Sequence, residues 1–196
     1  MSEVADRAHE TEKTASIWTF IALDCASFGL FFLVFMTERI GQAALFDRSS
    51  RMLDDRIGLI NTGILITSSW LVARATHLFR RGDAAATLRN LVAALVVGSG
   101  FALLKAYEYA VKIEAGINPL TNEFFTFYFA LTGVHLLHYL VGLLILGVLI
   151  AGARAAAQGR PAASYPVWLE SGALYWHLVD LLWVFLFAML YLLGAR

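Results

Sequence analysis

Ile17 to Met36 reads I-W-T-F-I-A-L-D-C-A-S-F-G-L-F-F-L-V-F-M, twenty residues with one charge, Asp24. About twenty apolar residues cross the hydrocarbon core of a bilayer as a helix, so this stretch spans once. The rest of the chain repeats the pattern. Apolar blocks run from Gly58 to Phe79, Leu88 to Val111, Phe124 to Ala153 and Ala173 to Leu193. Polar, Gly- or Pro-containing segments separate them: Thr37 to Asp55, Arg80 to Asp83, Gly116 to Asn122 and Arg154 to Pro166. The expected fold is therefore all-α, a polytopic membrane bundle of five transmembrane helices over residues 17–196, with a polar, flexible tail at 1–16.

Composition agrees. The chain is 59% hydrophobic and 15% charged, whereas soluble domains average about 45–50% and about 25%. The formal net charge is zero, which offers nucleic acid no electrostatic footprint. The single cysteine, Cys25, rules out an intrachain disulfide, a zinc ribbon and a C-x-x-C-H haem attachment. Within an apolar block it reads as a small, buried packing residue. Trp18, Tyr165, Trp168 and Tyr191 lie near span ends and fit interfacial belts. No P-loop, G-x-G-x-x-G or H-E-x-x-H occurs. Ser68-Ser69 has no base adjacent in sequence, so a serine nucleophile is unsupported. The N-terminal side holds seven Lys or Arg and the other side six, an asymmetry that points to a cytoplasmic N-terminus.

The informative residues are the polar ones inside the spans. An ionisable side chain at mid-bilayer is costly, so it faces protein or water and acquires partners. Such residues here are Asp24, Lys105, Glu108, His135, His138, His177 and Asp180. The uncharged part of the third block, Leu91 to Leu104, is too short to span alone, which places Lys105 and Glu108 within the membrane near its far end. His135 and His138, His177 and Asp180, and Lys105 and Glu108 are all three residues apart and share helix faces pairwise. Gly142 follows on the His135/His138 face, where a small residue admits another helix. Lys105 and Glu108 read as a local ion pair near the interface, and His177 with Asp180 as a strut between helices. Asp24 has no opposite charge in its own span and needs a partner elsewhere, which makes it the residue most suggestive of function. Asp24, Glu108, His135, His138, His177 and Asp180 are expected to form an intramembrane polar network, with no catalytic, cofactor or metal site.

Three stretches carry a resemblance. Thr132 to Gly142 reads T-G-V-H-L-L-H-Y-L-V-G, Tyr175 to Phe187 reads Y-W-H-L-V-D-L-L-W-V-F-L-F, and Lys105 to Tyr109 reads K-A-Y-E-Y. Their order and spacing resemble subunit III of the haem-copper oxidases, the cytochrome c and quinol oxidase family, over Trp18 to Gly194. The resemblance implies the five-helix form of the subunit III bundle. It also implies a non-catalytic accessory role. The chain would carry no haem or copper itself and would pack against the catalytic subunit I, whose haem and copper or iron do the chemistry. It would bind phospholipid in a cleft and support assembly and proton uptake, with bacterial inner membrane as the location. Asp24, in W-T-F-I-A-L-D, matches the position of the family's intramembrane carboxylate, usually Glu. Asn61 to Trp70 and Thr121 to Tyr128 look closer to the subunit III-like proteins associated with nitric oxide reductase. Two other readings of the residues stay open: an autonomous membrane carrier binding haem b between histidines of different helices, and a small proton-coupled transporter using Asp24.

Overall fold

The structure is a computed structural model that describes the backbone of residues 2–194 and the side chains of residues 17–194. The expected polar tail at 1–16 lies outside the residues with described side chains. The elements are α1 (Ser2–Gly41), α2 (Ala43–Ser50), α3 (Asp55–Arg80), α4 (Ala84–Glu114), α5 (Glu123–Ala157) and α6 (Tyr165–Phe187). A π-helical turn, Ala188–Leu192, ends the bundle. Among the described residues there is no strand. Five helices are long and apolar enough to cross a membrane: Ile17–Gly41 of α1, α3, α4, α5, and α6 with the π turn.

Helix starts and stops follow local chemistry. The side chains of Asp54, Asp83 and Asn122 accept from the backbone N–H groups of Arg56, Ala86 and Phe125, capping α3, α4 and α5. At the other ends, Gly82, Gly116 and Gly159 take φ near +80°. That lets the next N–H reach back to the last turn: Asp83 to Leu78, Ile117 to Lys112 and Arg160 to Ala155, at 2.9–3.1 Å.

α6 is the central element. Of its apolar stretch 61% is buried within the protein, against 28% for α3, α4 and α5 and 11% for α1. Trp176 explains how α6 approaches so closely. A methyl group on Gly98 of α4 would sit 3.1 Å from its ring, and one on Gly142 of α5 would sit 3.0 Å away. The two glycines are notches for one indole, which is the role expected of Gly142. α1 lies against α6 and α2 at the edge. Its main anchor is a ring cluster in which Phe35 packs on Phe46 of α2 and on Phe124 and Phe127 of α5.

Three expectations change. The segment after the first span contains a helix, α2, which ties the far end together: Arg39 bonds Asp47 at 2.6 Å and the Leu193 carbonyl at 2.9 Å, and Asn122 bonds Ser49 at 3.1 Å. Cys25, expected to be buried, is exposed, because α1 offers the protein only a narrow strip. Tyr165 and Tyr191, expected in interfacial belts with Trp18 and Trp168, are buried. Tyr165 donates to the Leu149 carbonyl at 2.9 Å. Trp18 and Trp168 are exposed, as a belt requires.

Candidate functional site

The intramembrane polar residues fall into separate groups. Asp24 of α1 meets His138 of α5: Oδ1 lies 3.1 Å from Nε2, with the side chains 10% and 24% exposed. The missing partner of Asp24 thus comes from a helix more than a hundred residues away. His138 Nδ1 is 2.8 Å from the Val134 carbonyl. A carbonyl only accepts, so Nδ1 carries a proton. At Nε2 the imidazole faces the Asp24 carboxyl oxygen, which forms an ion pair when the ring is protonated. Phe28 sets its ring edge-on to His138 at 5.5 Å, and Tyr175 donates to the His138 carbonyl at 3.0 Å.

Lys105 and Glu108 form the second group. The pair is 3.0 Å apart, with 1% and 2% of the side chains exposed. The local ion pair expected from the spacing is formed, and it is buried inside the bundle. Lys105 Nζ also donates to Tyr191 at 2.9 Å and Tyr128 at 3.2 Å, and Tyr191 donates to the other Glu108 oxygen at 2.6 Å. The rings of Tyr109, Tyr128, Trp183 and Tyr191 lie 4.7–5.5 Å from the ammonium. A buried ion pair is tolerable only when its remaining donors and acceptors are satisfied. Here two hydroxyls and four ring faces do so. Tyr191 reaches the pair from the π-helical turn, whose extra residue re-aims the side chains of that turn.

Ser69 of α3 and His177 of α6 form the third, with Oγ and Nδ1 2.5 Å apart. The base missing next to Ser69 in sequence is therefore supplied in space. Asp180, one turn from His177, makes no hydrogen bond to it, so the three do not form a nucleophilic triad. The expected His177–Asp180 strut is instead a His177–Ser69 strut. His135, fully buried, stands edge-on to Phe101 at 5.6 Å and beside Trp183 at 5.4 Å. Among the described residues neither ring nitrogen has a hydrogen-bond partner, and the Ser69 hydroxyl lies beside the Asp180 carboxyl group.

Sequence reasoning missed Ser69, Tyr128, Tyr191 and Asn61, the last buried in α3. A polar residue in an apolar span is the available signal, and only Asn61 shows it strongly.

Chemically, these groups hold helices together. No group of three or more His, Cys, Asp or Glu side chains comes together among the described residues. His138 is engaged with Asp24 and Val134, and His177 with Ser69, while His135 packs between two aromatic rings with its nitrogens unpartnered among the described residues.

The sequence profile of the family described as Cytochrome c oxidase subunit III matches residues 51–195, well over half of the chain. The chain belongs to the cytochrome c oxidase subunit III family. Relatives extend the likeness through α1. It is 27% identical to the probable quinol oxidase subunit 3 of Staphylococcus epidermidis over 192 residues, 97% of this chain and 94% of that one. It is 28% identical to the quinol oxidase subunit 3 of Bacillus spizizenii over 180 residues, 90% and 85% of the two chains. This subunit III chain is a non-catalytic accessory component of a haem-copper oxidase and an integral membrane protein. The readings as a haem-b carrier or a transporter are not favoured.

Proposed function

We propose that this subunit III chain packs against the haem-copper catalytic subunit I of a bacterial inner-membrane quinol-type oxidase. There it supports assembly, binds phospholipid and sustains proton uptake. The observation that carries the reading is that the buried Lys105–Glu108 pair and the Ser69–His177 pair are closed on neighbouring side chains. They brace a scaffold and leave the redox chemistry to a partner. Asp24–His138 is the exception. This carboxyl–imidazole pair lies at the thinly covered edge of the bundle, which suits support of proton uptake. Asp24, Glu108, His138 and His177 then act as bracing groups distributed through the bundle, with the N-terminus in the cytoplasm.

The test is mass spectrometry of what co-purifies with the tagged chain from native membranes in mild detergent. A haem-copper quinol oxidase subunit I in stoichiometric amount is the expected result. A nitric oxide reductase catalytic subunit in its place would reassign the complex. The chain emerging alone under several gentle conditions, or with a Soret band of its own, would overturn the accessory reading. Reporter fusions at the two termini test the orientation.

A further inference from the structure

The buried tyrosines differ in where their phenol protons point. Tyr139, Tyr165 and Tyr175 donate to the carbonyls of Gly98, Leu149 and His138. Tyr109 pairs with the Thr132 hydroxyl at 2.5 Å, and Tyr128 accepts from Lys105 at 3.2 Å. A carbonyl or a hydroxyl accepts a hydrogen bond but does not keep the proton. Tyr191 donates instead to a Glu108 carboxylate oxygen at 2.6 Å, and a carboxylate can take the proton up and become a carboxylic acid. Both residues are 2% exposed, so no water competes for that proton.

The surroundings of this bond fit more than a brace. Lys105 donates to the same phenol oxygen at 2.9 Å and to the second Glu108 oxygen at 3.0 Å, which fixes phenol and carboxylate against each other. The phenol is presented by the π-helical turn Ala188–Leu192, a departure from the α-helix that is frequent at functional sites. Its ring also stands in a series of oxidisable rings. Trp183 lies 6.3 Å away and Tyr128 6.5 Å, with Tyr109 a further 6.0 Å from Tyr128. Trp183 is fully buried and Tyr109 half-buried, so the series leads from the interior toward the bundle surface.

We propose that Tyr191 is a redox-active residue, which gives its electron to a strong one-electron oxidant and its proton to Glu108. The phenol O–H bond breaks, an O–H bond forms on the Glu108 carboxylate, the electron reduces the oxidant, and a neutral tyrosyl radical remains. The radical moves along Trp183, Tyr128 and Tyr109 by electron exchange between neighbouring rings. One electron from a hydroquinone or a thiolate ends it, and Glu108 returns the proton. The oxidant is of the class of oxygen-derived radicals. Weaker oxidants do not fire the site, because losing an electron leaves an extra positive charge beside the buried Lys105. The ring faces around the ammonium offset part of that cost. The chain is then a sink for strong oxidants formed near it, a role separate from bracing the bundle.

Flash photolysis of the full-length chain in mild detergent tests this. An alkyl-tailed ruthenium polypyridyl serves as photo-oxidant, a cobalt(III) ammine as electron acceptor, and electron paramagnetic resonance as readout. The expected result is a trapped tyrosyl radical whose high-field spectrum shows the lowered largest g-value of a phenoxyl oxygen held by an ammonium and a carboxylic acid. No trapped radical, or the g-value of a phenoxyl without such donors, would overturn the proposal with no variant needed. Tyr191→Phe is expected to lower the radical yield at least several-fold, and Tyr165→Phe to leave it unchanged. Lys105→Met with Glu108→Leu keeps the phenol but removes the proton acceptor, and is expected to lower the yield as far as Tyr191→Phe does. A wild-type yield in either of those two variants, or a loss in Tyr165→Phe instead, would leave Tyr191 as a brace alone, and the proposal fails.

Discussion

α1 and α6 are both long apolar helices, yet the protein treats them in opposite ways. α6 is gripped on all sides: Trp176 fits the notches at Gly98 and Gly142, His177 bonds Ser69, Trp183 bonds Thr62, and Tyr191 bonds Lys105 and Glu108. α1 touches the bundle along one strip, with a ring cluster at its far end and the Asp24–His138 contact at its middle. In lipid, apolar area alone does not drive helices together, since the tails are as apolar as the side chains. What separates the two helices is shape fit and polar bonding, and α6 has far more of both.

The hardest way to break the α6 side is to strand a charge. Lys105→Ala leaves Glu108 buried without its cation and is expected to cost about 3–5 kcal/mol, read as a large fall in thermal midpoint and loss of assembled complex. Lys105→Met with Glu108→Leu removes both charges and is expected to recover most of that loss. A double variant as unstable as the single would show that the pair itself, and not the stranded charge, carries the stability.

Filling a notch comes next. Gly142→Leu places a side chain where the Trp176 ring already lies, and overpacking of this kind costs about 1–3 kcal/mol. It is expected to quench or shift Trp fluorescence as α6 moves off α5, while Gly133→Leu, which has open space at that position, leaves the spectrum unchanged.

On the α1 side the effect is smaller and local. His138→Leu removes one interhelical hydrogen bond, worth about 0.6 kcal/mol on average in membrane proteins. Faster hydrogen exchange is expected in the second half of α1, with α3 to α6 unaffected. Exchange rising throughout the bundle would mean that α1 is as integral as α6. The smallest perturbation is chemical: a membrane-permeant maleimide labels Cys25 in the isolated chain without unfolding it, because that side chain is exposed. Protection of Cys25 in the intact complex would show that a partner covers this side of α1.

Much of this was legible in the chain itself. Hydropathy marked five spans because a helix of fixed rise must match a bilayer of fixed thickness, and polar, Gly- or Pro-containing segments marked the turns. Three-residue spacing put Lys105 against Glu108, and the histidine motifs pointed to the subunit III family. What the chain did not reveal is which way each side chain faces. The protein interior and the lipid are equally apolar, so no pattern distinguishes Cys25, which looks outward, from Phe28, which looks in. Tyr165 and Tyr191 sit where belts belong, yet the π turn and the approach of α5 draw them inward. The partners of Asp24 and Ser69 lie more than a hundred residues along the chain, and bonds of that range exist only once helices have chosen their neighbours. Sequence alone determined the number of membrane-spanning helices and the cost of each buried charge. Tertiary structure decided how those charges were satisfied, because hydrogen bonds depend on distances of about 3 Å between helices, which one-dimensional spacing does not encode.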